Sequence, residues 1–380
     1  MSKGDTRISR PILLAAGGTG GHLFPAEALS NALAARGYAI ELFTDARAEQ
    51  YGGAFPARAI HIVPSASPRG GGLVSRAAAA FALARGTLAA RRLIKQIRPL
   101  ALVGFGGYPS VPPVLAATHL GVPTVIHEGN AVIGKANLFL SRRVDAIAKG
   151  FEALGGVTPA IAAKAHLTGD PVRPMVIEAA KIPFPDFSGG KLRLLVTGGS
   201  QGARIMSDIV PAAIELLPEA ARKTLIVTQQ ARGEDEARVR EAYARLGVEA
   251  EVKSFFSDLP LRIAGAHLVI GRAGASTVSE LGVIGRPAIL VPLPHALDQD
   301  QSANARQFAL SGAGTVIAQS AFSPQWLANA LSEAQNDYAG LARRAAAAKG
   351  SGIADAADRL ADLVLRVVAE KDTAEREKKT

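Results

Sequence analysis

The sequence contains no cysteine among its 380 residues. That absence excludes disulfide bonds, thiolate metal sites and a cysteine nucleophile, and it fits a reducing compartment. Aromatic residues are also scarce, at 5% of the chain, so few side chains are available to stack on nucleic-acid bases. The first ten residues lead straight into an apolar strand, without the long apolar run of a signal peptide, so we expect none.

Acidic residues are missing from one long segment. No Asp or Glu occurs from Gln50 through His127, whereas eight Arg and Lys residues occur there, within a chain of net charge +10. A basic segment with so little aromatic interleaving argues against nucleic acid as a partner. Because the segment Arg69 to Arg98 is also rich in aliphatic side chains, it favours an anionic membrane surface. The residues that we expect at that surface are Arg76, Phe81, Arg85 and Arg92.

The longest run without charged residues, residues 99–127, does not have the composition of a membrane-spanning helix. It contains Pro109, Pro112, Pro113 and Pro123, which would break such a helix. The run therefore predicts a strand, a loop, a helix and a second strand.

What the sequence does contain is one pattern that occurs four times: an apolar strand, a glycine-rich loop and then a helix. Two copies lie in each half, beginning at Ile12 and Ala101 and at Leu192 and His267. Strands that alternate with helices predict parallel sheets covered on both faces, here two doubly wound α/β domains facing across a cleft. Right-handed crossovers would bring all four glycine loops to the carboxyl edges of the sheets, where such folds bind ligands.

The first glycine loop, "AGGTGGH" at residues 16–22, is suited to an anion. Glycine permits close approach to the backbone, and the start of a helix presents unpaired N–H groups. The dinucleotide and Walker fingerprints both fail, because Leu23 stands where the third glycine is required and no Gly-Lys-Ser/Thr occurs. His22 is the side chain in this loop that can move a proton near neutral pH.

The loop "GGSQG" at residues 198–202 leaves two readings open. It matches the nucleophile elbow of serine hydrolases, and Asp258 with His267 or His295 follows in the required order. The favoured reading is a loop in which Ser200 binds a polar ligand, since the same architecture recurs in all four copies.

Three further motifs carry polar groups suited to a sugar nucleotide. "GRAGASTVSE" at 271–280 offers a helix start for a diphosphate and Glu280 for a ribose diol. "PLPHALDQDQSANA" at 292–305 and "HEGN" at 127–130 offer amide and carboxylate groups for hydroxyls. His127 itself is expected to support the site rather than to act in it.

The motifs "GGTGGH", "GGYPS", "HEGN", "DPVR", "GGSQGA", "GRAGASTVSE" and "DQDQSANA" occur in the order found in the MurG family. The chain resembles these bacterial peptidoglycan N-acetylglucosaminyltransferases over nearly its whole length. The resemblance implies the GT-B fold, UDP-N-acetylglucosamine as donor and lipid I, undecaprenyl-diphosphate-N-acetylmuramyl-pentapeptide, as acceptor. The implied reaction forms a β-1,4 linkage with inversion and gives lipid II.

The Gly- and Pro-bearing segment at residues 166–176 predicts a hinge between the two domains, and the resemblance implies that the last helix returns to the first domain. We expect an acceptor and membrane-facing domain at 1–171 completed by a C-terminal helix at 353–370, a donor domain at 172–352, and a charged tail at 371–380. The implied location is the cytoplasmic face of the inner membrane, as a peripheral protein, with other cell-wall synthesis proteins as possible partners.

Site residues follow from the resemblance by position. The donor site would comprise Thr19, Gly20, Gly21, Asn130, Arg173, Ser200, Phe256, Arg272, Gly274, Ala275, Ser276, Thr277, Glu280 and Gln301. The acceptor side would comprise Gly18, Thr19, Tyr108 and Glu128. The catalytic set would be His22, Glu128 and Asn130, with His22 as the general base for the acceptor hydroxyl and Glu128 as its competitor. The resemblance implies no D-x-D metal site of the type that other glycosyltransferases use, so neither a metal nor a cofactor is expected.

Two departures from the family pattern bear on the finer contacts. Gly129 stands where a glutamine is common, and Asp300 stands where some members have a second glutamine. The nearest alternative is a related transferase with another lipid acceptor, such as a diacylglycerol glycosyltransferase. A UDP-sugar epimerase and the serine hydrolase are the alternatives from other classes.

Overall fold

The structure is a computed structural model that describes residues 10–17, 20–45, 55–64, 72–199, 202–294 and 300–378. The chain divides into two compact units. One comprises Met1–Arg173 with Asp355–Thr380, and the other comprises Pro174–Ala354. The first boundary therefore lies at Arg173, inside the segment where the sequence places the hinge.

The described part of the first unit is built on one sheet of seven parallel strands, in the order β3-β2-β1-β4-β5-β6-β7. The strands are β1 (Ile12–Ala15), β2 (Ile40–Thr44), β3 (Ala59–Ile62), β4 (Ala101–Gly104), β5 (Thr124–Glu128), β6 (Ala146–Lys149) and β7 (Ala165–Leu167). The strand order changes direction between β1 and β4. This switch point is where doubly wound sheets bind ligands.

Helices cover both faces of this sheet, which explains why β1 and β4 are apolar at every position. Ile12 and Leu14 of β1 belong to one core, and Leu13 and Ala15 belong to the other. The helices are α1 (Gly20–Ala35), α2 (Leu73–Ile97), α3 (Val111–His119), α4 (Lys135–Ser141) and α5 (Pro159–Ala162). The strand, loop, helix and strand predicted for residues 99–127 are confirmed by β4, α3 and β5.

The second unit begins with α6 (Pro174–Ala179) and has a parallel sheet of six strands among its described residues, in the order β10-β9-β8-β11-β12-β13. The strands are β8 (Leu192–Thr197), β9 (Leu225–Gln230), β10 (Glu249–Lys253), β11 (Leu268–Gly271), β12 (Ala288–Leu290) and β13 (Gly314–Val316). The helices are α7 (Arg204–Glu215), α8 (Glu219–Lys223), α9 (Gly233–Leu246), α10 (Leu259–Gly265), α11 (Ala275–Ile284), α12 (Asp300–Leu310), α13 (Pro324–Asn336) and α14 (Tyr338–Ser351). The switch point of this sheet lies between β8 and β11.

The chain ends in α15 (Ala356–Glu377), which belongs to the first unit and packs its apolar face against α1. The sequence places this helix at 353–370 and a tail after it, and that end point is wrong. Just beyond residue 370, Lys371 pairs with Asp145, with Nζ 2.8 Å from Oδ2. At its other end, Arg36 of α1 pairs with Asp358 and Asp362.

Long helices are present, but among the described residues none is both long and apolar enough to cross a membrane. The longest, α2, has two distinct sides. Ala90 and Ile94 are buried in the core, whereas Phe81 and Leu88 are 65% and 57% exposed. The basic side chains of Arg85 and Arg92 are exposed as well.

Candidate functional site

The predicted residues of the first unit gather at one edge of its sheet. β1, β4 and β5 are neighbours and parallel, so the loops that follow them lie side by side. Gly20 and Gly21 open α1 after β1, Tyr108 follows β4, and Asn130 follows β5. Gly18 and Thr19 lie outside the described residues.

His22 lies against the glycine loop that follows β4. A Cβ atom built on Gly107 would lie 3.1 Å from His22 Nε2, and one on Gly106 would lie 3.5 Å from His22 Cε1. Gly106 and Gly107 also have positive φ angles, of 81° and 70° respectively, which residues other than glycine rarely adopt. The two glycines are therefore explained by their positive φ, and Gly107 also by the imidazole ring that packs on its backbone.

Glu128 is the centre of a hydrogen-bond network at the end of β5, where it is 3% exposed. Its Oε1 accepts from the backbone N and the Nδ2 of Asn130, each at 3.1 Å. Its Oε2 accepts from Gly134 N and from Asn137 Nδ2, each at 2.9 Å. Burial raises the pKa of Glu128 and these four hydrogen bonds oppose that rise. Both carboxylate oxygens are thus engaged in ordering the loop between β5 and α4.

Asn137 is a buried residue of this network that the sequence analysis missed. Its Nδ2 donates to the backbone oxygen of His127 as well as to Glu128, at 2.9 Å in each case. A Cβ on Gly106 would lie 3.3 Å from the same nitrogen. Asn137 therefore ties α4 to the end of β5 and packs against the loop after β4. The signal in the sequence was weak, because Asn137 shares the buried face of α4 with Leu140 and with a second polar residue, Ser141.

His127 is buried beneath this edge, at 2% exposed. Its Nε2 lies 3.3 Å from Gly169 O and 3.6 Å from Asp170 Oδ1. Burial lowers the pKa of His127 to about 4, so the ring is neutral at pH 7. A neutral Nε2–H donates to Gly169 O, which gives this histidine a supporting role.

Arg173 is placed in the first unit, beside α1. Its guanidinium carbon lies 3.9 Å from the centre of the Phe24 ring, a cation–π contact. Glu27 of α1 is near enough for the charge of Arg173 to oppose the rise in the pKa of Glu27 that burial causes. The guanidinium of Arg173 therefore lies beside α1, at residues that follow His22 along that helix.

In the second unit, the loops after β8 and β11 lie side by side at the switch point. Gly198 must be glycine, because a Cβ there would lie 2.1 Å from Ala203 N. Ser200 lies outside the described residues. After β11, Gly274 precedes α11, and Ala275, Ser276 and Thr277 form its first turn.

The first turn of α11 has the features expected of an anion site. Ser276 Oγ is buried and has no hydrogen-bond partner within the described residues. Glu280 is buried one turn further along. Phe256 is buried after β10, with the guanidinium of Arg262 5.2 Å from its ring centre.

Two residues predicted to contact the donor also hold the loops together. Nη1 of Arg272 donates to Val291 O and Pro292 O at 3.0 and 3.2 Å, and Nη2 donates to Gln319 Oε1 at 2.7 Å. These hydrogen bonds tie the loop after β11, which holds Arg272, to the segments that follow β12 and β13. Gln301 Oε1 accepts from Leu293 N at 3.1 Å. Asp300, the departure noted above, accepts from Gln301 N at 2.8 Å.

The described residues do not support the serine hydrolase hypothesis, because His267 and Asp258 are not arranged as a catalytic triad with the loop that contains Ser200. His267 lies at the amino end of β11, where Nδ1 accepts from Arg193 N at 2.9 Å and Nε2 lies 3.0 Å from Asp186 O. The loop that contains Ser200 follows the opposite, carboxyl end of β8. Asp258 instead accepts from Arg262 Nε at 2.8 Å. His295 lies outside the described residues.

Two family models match the chain in sequence order. The glycosyltransferase family 28 N-terminal domain matches residues 12–149, and the glycosyltransferase family 28 C-terminal domain matches residues 193–360. The chain belongs to glycosyltransferase family 28. The family resemblance and the two doubly wound domains of the GT-B class expected from the sequence are confirmed.

Curated relatives within this glycosyltransferase family match over nearly the full length. A protein of Sinorhizobium fredii is 56% identical over 93% of this chain and 94% of its own. A protein of Rhizobium johnstonii is 53% identical over 99% of this chain and 98% of its own. Both are named "UDP-N-acetylglucosamine--N-acetylmuramyl-(pentapeptide) pyrophosphoryl-undecaprenol N-acetylglucosamine transferase".

Among solved structures, MurG of Acinetobacter baumannii matches with a TM-score of 0.77 and 28% identity, covering 94% of this chain and 99% of that one. A UDP-GlcNAc 2-epimerase of Neisseria meningitidis matches with a TM-score of 0.64, covering 94% of this chain and 100% of that one, but at 12% identity. The second likeness concerns the fold alone. The family match therefore favours transfer over epimerisation.

Proposed function

We propose that this glycosyltransferase moves N-acetylglucosamine from UDP-N-acetylglucosamine to the 4-hydroxyl of the muramyl sugar of lipid I. The observation that carries the proposal is the match, at 52 to 56% identity over nearly the whole chain, to relatives named for this reaction. The geometry of the two loop edges is consistent with it, because each edge offers a helix start and polar groups of the right chemistry.

The donor would bind at the switch point of the second unit. The diphosphate would lie at the first turn of α11, where unpaired N–H groups and the helix dipole favour negative charge. Ser276 Oγ and Ser200 would donate to phosphate oxygens. Glu280 would accept from the ribose hydroxyls, and the Phe256 backbone would pair with the uracil.

The same helix start would assist the chemistry as well as binding. Departure of UDP places growing negative charge on the diphosphate, and donors fixed before the reaction stabilise that charge without reorganising. Arg272 would contribute indirectly, by tying the loops after β11 and β12 together. Gln301 would read the hydroxyls of the N-acetylglucosamine.

His22 would be the general base for the acceptor hydroxyl. An imidazole has the ordinary pKa required to accept a proton near neutral pH. Glu128 is the weaker candidate because each of its oxygens already accepts two hydrogen bonds. Glu128 would instead hold Asn130 and the loop after β5 in place beside Tyr108.

The acceptor is anchored in a bilayer, so the protein would work at a membrane surface. The outer side of α2 suits such a surface: Phe81 and Leu88 are exposed, and the Arg85 guanidinium lies 5.9 Å from the Phe81 ring centre. Basic groups near anionic lipids contribute about 1 kcal/mol each. Arg76 lies on the same helix, and its side chain is outside what the structure describes.

The test is a transfer reaction with radiolabelled UDP-N-acetylglucosamine and a lipid I analogue. Label should enter the lipid product only when the acceptor is present. Conversion of the donor to its 2-epimer without acceptor would instead establish an epimerase. Transfer to diacylglycerol but not to lipid I would establish the alternative lipid acceptor.

A further inference from the structure

Gln230, the last residue of β9, links two loops of the second unit. It is 7% exposed. Its Oε1 accepts from Thr197 Oγ1 at 3.0 Å and from Gly198 N at 3.1 Å, at the end of β8. Its Nε2 donates to Ser254 O at 3.2 Å, at the end of β10. One amide therefore spans the carboxyl ends of three neighbouring strands.

The position of β9 in the sheet makes this link possible. β9 lies between β10 and β8, so a side chain at its carboxyl end reaches the loops on both sides. The orientation of the amide is fixed by its partners, because Gly198 N can only donate and Ser254 O can only accept. Burial keeps water from replacing these hydrogen bonds.

The two linked loops are those assigned to opposite ends of the donor nucleotide. Gly198 and Gly199 lead into Ser200, which is assigned above to the diphosphate, and Ser254 leads into Phe256, which is assigned above to the uracil. We propose that Gln230 is a positioning residue for the donor, holding the diphosphate loop and the uracil segment at the spacing of a uridine diphosphate. The inference rests on the proposed function and adds a residue that touches no substrate.

Loss of the amide has a specific consequence under this proposal. Each loop keeps its own groups, but the two no longer share one fixed spacing. A ligand that spans both loops should lose more affinity than a ligand that uses one. We expect Gln230→Met to weaken UDP binding by about tenfold, the equivalent of roughly 1.4 kcal/mol, and to weaken uridine binding by much less.

The neighbouring glutamine supplies a matched control. Gln229 is fully buried on the same strand and accepts from the hydroxyl of Tyr243 in the core. Gln229→Met removes a buried amide of equal size without touching either loop. Thermal unfolding of both variants measures the loss of stability, and calorimetry with UDP and with uridine measures binding.

The expected result is a UDP-to-uridine affinity ratio that falls in Gln230→Met and stays at the wild-type value in Gln229→Met. Equal ratios in the two variants, with UDP bound by the wild type, would overturn the role of Gln230 and leave the proposed function intact. A wild-type protein that binds no UDP would overturn both. A raised KM for the donor with little change in kcat would support the positioning role.

Discussion

His127 makes a pH-dependent contribution to the stability of the first unit, and His127→Gln should remove that contribution. The histidine is fully buried, and its pKa falls from 6.5 to about 4 on folding. Between these two pH values the His127 imidazole is protonated in the unfolded chain and neutral in the folded chain. The contribution of His127 to the unfolding free energy is therefore fully present above pH 6.5 and is lost as the pH falls toward 4.

The magnitude follows from the width of that window. Each pH unit is worth about 1.4 kcal/mol, so about 3 kcal/mol is lost over the whole window and about 2 kcal/mol by about pH 5. Glutamine does not titrate in this range, and its amide can still donate to Gly169 O.

The assay is urea unfolding followed by circular dichroism, at about pH 7.5 and about pH 5. His127→Gln should lose about 2 kcal/mol less than the wild type between the two conditions. His119→Gln, at an exposed histidine on α3, should keep the wild-type dependence. Equal losses for His127→Gln and the wild type would refute the assignment of a buried, neutral imidazole.

Three further predictions concern the proposed sites. Glu280→Ala should raise the KM for UDP-N-acetylglucosamine about tenfold or more through lost ribose hydrogen bonds, and calorimetry with UDP checks this. Glu128→Gln should lower the unfolding free energy by about 2 to 4 kcal/mol, because one oxygen becomes an amide that faces two donors; unchanged stability with lost turnover would instead make Glu128 the base. Arg85→Glu combined with Arg92→Glu should reduce flotation with phosphatidylglycerol vesicles and spare turnover of a short-chain acceptor. Flotation equal to the wild type would remove α2 from the membrane contact.

The glycine pattern predicted which loops meet because that information is local. A strand, a glycine loop and a helix define a corner, and parallel pairing puts the corners at one edge. The loops at Gly20 and Gly106, and those at Gly198 and Gly274, therefore lie side by side in their units as expected. Family motifs then suggested which side chains to examine there.

What the sequence did not predict depends on strand order and on packing. Gln230 reaches two loops only because β9 lies between β8 and β10, and residue spacing along the chain does not contain that order. Arg272 donates to carbonyls that follow a different strand. Asn137 donates a hydrogen bond to Glu128 across a loop, and Lys371 pairs with Asp145, a partner far away in the chain.

The central claim is tested most directly by transfer and binding measured together on His22→Ala. The wild-type protein should move labelled N-acetylglucosamine to a lipid I analogue. The variant should do so about 100-fold more slowly or worse, because the hydroxyl has lost its base. Its affinity for UDP, measured by calorimetry, should equal that of the wild type, since the groups proposed to bind UDP itself, namely Ser200, Phe256, the first turn of α11 and Glu280, belong to the second unit. Absence of transfer by the wild type, or near-wild-type turnover by His22→Ala, would contradict the account.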